Sequence, residues 1–260
     1  MKVYIFCDLE GCSGISCNRY TTPALGYHEL MRLGGRFMAG DINACVEGAV
    51  RAGATEIIVR DGHSDGFNVT RDEIDPRADL ISGTTPRQRF ADLDGAAGLI
   101  LLGYHGRAGT AGAVLDHTMD LTWQNCWIND RPAGEIAIDA VIAGEHGVPV
   151  VMVSGDDKAC AEAAQWVPDA VTCEVKKGFH CNGARLPSLE KSRALITEKT
   201  QAALADIGKF RPLRIATPVT FRVALTERRT PPWDDRFRWV DSRTWELTGT
   251  SLEQLFFAQF

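Results

Sequence analysis

The chain has 260 residues, 45% of them hydrophobic and 24% charged, with a net charge of −6. That composition excludes disordered and fibrous classes and suits a globular protein with a sizeable core. The acidic balance argues against a nucleic-acid partner; no apolar stretch is long enough to span a bilayer, Val3–Cys7 is too short for a signal peptide, and the expected location is the cytoplasm.

The predicted elements run as follows. Val3–Cys7 reads as a buried strand, and Leu30–Ala52 as an amphipathic helix with Gly53 as its C-cap. Glu56–Arg60 is a second strand, Asp79–Ser82 a short third, and Gly98–Gly103 a central one. Leu121–Ile128 reads as a strand running into a turn at Asn129-Asp130. Gly134–His146 is a helix, Val148–Val153 a buried strand, Asp156–Trp166 a helix and Ala170–Val175 a strand. Repeated strand–helix units of this kind imply an α/β fold, a mostly parallel sheet with helices on both faces. Ser188–Ile207 then reads as a long helix. Beyond Pro212 the texture turns strand-like, with a rigid loop at Pro231-Pro232, strands at Phe237–Val240 and Trp245–Thr248, and a closing helix at Ser251–Phe257. The expected organisation is an α/β metal-binding domain over 1–210 and a smaller C-terminal α+β lobe over 211–260.

Eight cysteines carry no C-x-x-C pair, and the spacing of five between Cys7, Cys12 and Cys17 is not that of a zinc ribbon. They are expected to be free thiols, packed as small hydrophobes.

The chemistry gathers where strands end. Asp8 and Glu10 stand two residues apart at the mouth of the first strand. Side chains i and i+2 of an extended segment point the same way, and two carboxylates aimed together repel unless a cation or a shared proton lies between them. In open α/β sheets ligands collect beyond the carboxyl ends of the strands. The later loops supply His63 in Asp61-Gly62-His63-Ser64, His105 in Tyr104-His105-Gly106, and Glu135 after Asn129-Asp130-Arg131-Pro132-Ala133-Gly134. Three carboxylates and two imidazoles suit zinc, manganese or cobalt. Five protein ligands are too many for one catalytic zinc and fit a pair of metals sharing one carboxylate. His117 is open to three readings: a sixth ligand, a general acid/base, or a hydrogen-bonded residue. His28, His146 and His180 read as structural. Asp156 or Asp157 reads as the N-cap of its helix, and Thr248-Gly249-Thr250-Ser251 as a weak candidate for anion binding at a helix start.

Asp8-Leu9-Glu10-Gly11, Asp61-Gly62-His63-Ser64, Leu102-Gly103-Tyr104-His105, His117-Thr118-Met119, Asn129-Asp130-Arg131-Pro132-Ala133-Gly134-Glu135 and Ser154-Gly155-Asp156-Asp157 resemble, in order, the D-aminopeptidase family of M55 metallopeptidases. The resemblance covers roughly residues 1–215 and implies a two-zinc aminopeptidase, with manganese or cobalt as alternatives, acting on short peptides with an N-terminal D-residue. It implies a homodecamer of two stacked five-membered rings. It aligns Asp8 with the bridging ligand, Glu10, His63, His105 and Glu135 with the other ligands, and His117 with a catalytic residue beside the metals. One position departs: the family carries Ser two residues before the first Asp, where this chain has Phe6. The alternatives weighed against a peptidase are an amidase on peptidoglycan-type fragments, a dinuclear phosphoesterase, whose Asp-x-His and Gly-Asn-His patterns the chain lacks, and a metal-holding protein without catalysis.

Overall fold

The computed structural model describes residues 1–230 and 235–259, so the loop expected at Pro231-Pro232 lies outside the described residues. In chain order the elements are β1 (Lys2–Cys7), α1 (His28–Arg51), β2 (Glu56–Asp61), β3 (Asp79–Ile81), β4 (Gly98–Tyr104), β5 (Trp123–Ile128), β6 (Arg131–Ala133), α2 (Glu135–Glu145), β7 (Val150–Asp156), α3 (Asp157–Trp166), β8 (Val171–His180), β9 (Gly183–Arg185), α4 (Leu189–Ala205), β10 (Val219–Leu225), β11 (Phe237–Trp239), β12 (Thr244–Gly249) and α5 (Leu252–Phe257).

The first sheet has the order β3-β2-β1-β4-β7-β8-β9, and every pairing is parallel except the β8–β9 hairpin. Its strands alternate between two apolar layers. Val3, Ile5 and Cys7 pack with α1 and α4, whereas Tyr4 and Phe6 pack with α2, α3 and the second sheet. Burial on both faces explains why β1, β4 and β7 read as unbroken apolar runs. Fully burying one such Leu or Ile is worth about 1.5–3 kcal/mol. The strand order reverses between β1 and β4, and such a reversal opens a crevice at the carboxyl ends of the strands.

The second sheet, β11-β12-β10-β5-β6, is antiparallel. It joins distant parts of the chain, because β10 from the C-terminal segment pairs with β5. The expected turn at Asn129-Asp130 closes the β5–β6 hairpin, with both residues at positive φ (48° and 62°), as a type I′ turn requires. The three-residue β6, expected as loop, exists because that turn folds the chain straight back. β8 runs five residues past its expected end and places His180 in a hairpin with β9. His28 begins α1 rather than preceding it.

Asp156 caps α3, accepting from the amides of Lys158 and Ala159. The start of α5 is taken by the protein's own anion: Glu145 accepts from the amides of Leu252 and Glu253 and from the Ser251 hydroxyl. All eight cysteines are free. Among the described residues no helix is long and apolar enough to cross a membrane.

Candidate metal centre

Asp8 and Glu10 lie on a tight turn just past β1, not on the extended strand expected from their spacing. The Cys12 amide donates to the Leu9 carbonyl (3.1 Å) and the Gly11 amide to the Gly103 carbonyl (2.7 Å), which folds the turn against the end of β4. A Cβ on Gly11 would stand 2.0 Å from the Tyr104 carbonyl oxygen, so only glycine permits this approach. From β8, the buried Lys176 ammonium donates to the carbonyls of Glu10, Cys12 (2.9 Å) and Ile15 (2.8 Å). Burial pulls its pKa down to about 8, and the three carbonyls satisfy its three protons.

At the end of β2, the buried Asp61 carboxylate accepts from the amides of Asn68 (2.6 Å) and Val69 (3.1 Å), and the Asn68 side chain donates to the His63 carbonyl (2.7 Å). These bonds fix the loop that carries His63. Past β4, His105 is buried, with Nδ1 against the Gly106 carbonyl at 3.1 Å. His117 likewise sets Nδ1 against the Leu115 carbonyl at 2.9 Å. When Nδ1 donates, Nε2 is left with a lone pair facing the carboxylate cluster. The two rings stack at 4.0 Å with 11° between their planes. Leu115 (φ 53°) and Met119 (φ 59°) on either side of His117 occupy the left-handed region, a strained conformation for such side chains. Glu135 is the first residue of α2 and accepts from the Met119 amide at 2.7 Å.

The six side chains converge as two sets of three. One is Asp8, Glu10 and His63; the other is His105, His117 and Glu135; within each set the donor atoms lie within 4.8 Å of one another. Asp8 reaches both, with Oδ1 3.1 Å from His63 Nδ1 and Oδ2 3.3 Å from His105 Nε2. Glu10 Oε2 lies 2.9 Å from His63 Nδ1, and Glu135 Oε1 lies 3.3 Å from His105 Nε2 and 3.5 Å from His117 Nε2.

Burial pushes the Asp8 carboxyl up, but hydrogen bonding and charge from His105 and His63 outweigh it and hold the group well below the usual range. Glu135 is held at about 2, since His105 overcomes the burial that works against it. Burial opposes protonation of His63 and His105, yet the facing carboxylates raise both well above the ordinary imidazole value. Three buried carboxylates thus demand positive charge among them, which protons or divalent cations supply. The donors fit metal: Asp8 Oδ2, Glu10 Oε2 and His105 Nε2 are buried and make no hydrogen bond of proper geometry, although the ion-pair distances are short. Oxygen and imidazole donors left unpaired in a buried cluster are what a divalent ion satisfies.

The cluster floors a cleft of about 710 Å³, whose walls include Thr21, Thr22, Ser64, Leu121, Asn182 and Phe256. One wall carries a network that local sequence gave no reason to expect. Arg89 lines the cleft and pairs with buried Asp139 through Nε (2.7 Å) and Nη2 (2.9 Å), and Tyr104 donates to the same carboxylate. The Arg89 guanidinium lies 4.4 Å over the ring of Phe6, the residue standing where the resembled family has Ser. Arg89 sits in a loop without a motif, and Lys176 interrupts an otherwise ordinary strand. The only local hint at Lys176 is a charged residue directly after Val175 on a buried stretch.

The chain matches the M55 peptidase family, described as D-aminopeptidase, over residues 1–258. It is 38% identical over 215 residues to a D-aminopeptidase of Bacillus subtilis (strain 168), which is 82% of this chain and 77% of that protein. It also superimposes on the solved structure of the Zn-dependent D-aminopeptidase DppA from Bacillus subtilis, described as a self-compartmentalizing protease. That match has a TM-score of 0.92 at 32% identity and covers 99% of this chain and 95% of that one.

Proposed function

This chain belongs to the M55 peptidase family of D-aminopeptidases and is a metallo-aminopeptidase, and from that premise we propose that it uses two divalent ions, zinc first, to release N-terminal D-residues from short peptides. Asp8 would be shared between the two donor sets, with Glu10 and His63 holding one ion and His105 and Glu135 the other. The observation that carries this reading is the double reach of Asp8, whose two oxygens face histidines of different donor sets. Bound there, the ions supply Lewis acidity and a water acidic enough to ionise near neutral pH.

The chain's own residues do the rest. His117, held through Nδ1 by the Leu115 carbonyl, keeps Nε2 free beside Glu135 to carry a proton from the attacking water to the leaving amine. Thr21, Thr22, Leu121 and Phe256 line the cleft around the cluster. A second reading of His117, as a sixth ligand, is favoured by its Nε2 lying in the same donor set as His105 and Glu135. The likeness to a self-compartmentalizing protease supports a homo-oligomer, with a decamer as the proposed form, and a cytoplasmic location is proposed with it.

The test is hydrolysis of matched D- and L-aminoacyl amides by zinc-loaded protein. Faster release from the D-series is expected. Cleavage of neither series, with a phosphodiester cleaved instead, overturns the peptidase reading.

A further inference from the structure

We propose that Arg89 anchors the free carboxylate of a dipeptide substrate, so that the cleft selects for a carboxylate one residue beyond the scissile bond. The proposal rests on the peptidase reading of the metal cluster. Arg89 is the only arginine or lysine among the described residues lining the cleft, whose other charged residues besides histidine are Asp8, Glu10, Asp116 and Glu135. A substrate with an ammonium at one end and a carboxylate at the other therefore has one place for its negative end away from the ions.

The guanidinium is aimed before any ligand arrives. Asp139 takes Nε and Nη2, Phe6 supports the cation's face, and Phe256 lies 5.9 Å from it on the other element that closes the cleft. The backbone amide of Arg89 donates to Glu253 (3.0 Å), which ties its loop to α5. Nη1 is left over. It makes no hydrogen bond to the described residues and is not among the buried unpaired atoms, so solvent reaches it. A structural ion pair alone needs only the two nitrogens Asp139 holds, and buried pairs are weak sources of stability. The third nitrogen is the part a ligand can use.

The spacing suits a dipeptide. Asp139 lies one helical turn after the ligand Glu135 on α2, about 6 Å along the axis at 1.5 Å per residue. One residue spans about 3.8 Å between Cα atoms, and a carboxylate hydrogen-bonded to a guanidinium nitrogen adds about 2.8 Å. That rise is comparable with the reach of one residue and its carboxylate, the span the proposal requires between the scissile bond and Arg89.

The experiment compares D-Ala-D-Ala with its C-terminal amide, and a non-hydrolysable pair in which CH2–NH replaces the scissile amide, again as acid and amide. Hydrolysis rates are read on the first pair and calorimetric binding on the second. The variants are Arg89→Lys and the double variant Arg89→Met with Asp139→Asn, which leaves no unpaired buried carboxylate. The wild type is expected to prefer the acid by about 10- to 100-fold, the size of a charge-assisted hydrogen bond. The preference should vanish in the double variant, and appear mainly in KM. Arg89→Lys should keep part of it, having charge without the planar fork. A wild type without acid preference, or a double variant that loses acid and amide alike with the ratio intact, overturns the proposal. Failure of the peptidase reading looks different: no aminoacyl amide is cleaved, while the calorimetric preference for the acid isostere remains.

Discussion

Gly11→Ala tests whether the metal site depends on the close contact between two strand ends. The added Cβ would lie 2.0 Å from the Tyr104 carbonyl oxygen and 2.4 Å from the Gly103 carbonyl carbon, whereas real Cβ atoms stay beyond 3.0 Å. Both obstacles are backbone, so no rotamer change relieves them, and the turn must retreat from β4 by about 1 Å. The Gly11–Gly103 hydrogen bond at 2.7 Å is lost in that movement. One hydrogen bond at about 1 kcal/mol and overpacking at about 1–3 kcal/mol give a destabilisation of about 3 kcal/mol. At about 2–4 °C per kcal/mol for a chain of this size, the metal-free protein should melt roughly 10 °C lower. Because metal–ligand distances hold only within about 0.2 Å, moving Glu10 should also weaken zinc binding about 10- to 100-fold. Thermal melts and competitive zinc titration against a chromophoric chelator measure both effects. Gly208→Ala is the control, since nothing lies within 4 Å of a Cβ there and its φ is ordinary. If Gly11→Ala melts and binds zinc as that control does, the contact does not set the ligand turn.

Other outcomes follow from the same geometry. Asp8→Asn should lose both ions, and elemental analysis finding a full complement would exclude the bridging role. His117→Ala should keep both ions while turnover falls about 10²- to 10⁴-fold; loss of one ion per chain would make His117 a ligand instead. The pH dependence has a definite sign. His63 and His105 have folded pKa values raised above the unfolded value, so their protons stabilise the metal-free protein fully below about 6.5, and that stabilisation is lost as pH climbs through the raised values. Zinc needs the same nitrogens deprotonated, so the melting-temperature gap between zinc-loaded and metal-free protein should widen as pH rises through that window. A gap independent of pH would mean that these histidines do not hold zinc.

Much of the first sheet is legible in the sequence because its strands are buried on both sides and so appear as apolar runs between helical patterns. Val3–Cys7, Gly98–Gly103 and Val148–Val153 fall on β1, β4 and β7 for that reason. Asp8, Glu10, His63, His105 and Glu135 stand out because strand ends are where an α/β sheet opens, and the structure gathers their donor atoms, with His117, into two sets of three. The expected reason for the Asp8–Glu10 pairing differs from the observed one: a turn pinned by Gly11 and Lys176 brings the carboxylates together, not strand alternation. The second sheet is less legible because β5 and β10 are far apart in sequence and neither announces its partner. Arg89 and Lys176 share that limit. Each acts on groups remote in the chain, Asp139 for one and the carbonyls of Glu10, Cys12 and Ile15 for the other, so no local pattern marks them.

The strut from Lys176 has a bearing on how the protein is made. The amine that pins the turn of Asp8 and Glu10 comes some 160 residues after it in the chain. A nascent chain halted just short of β8 would already contain every proposed ligand, yet its opening turn would lack this brace. The opening turn should therefore gain its full rigidity only once β8 is in place, and zinc offered before then should meet donors less firmly held.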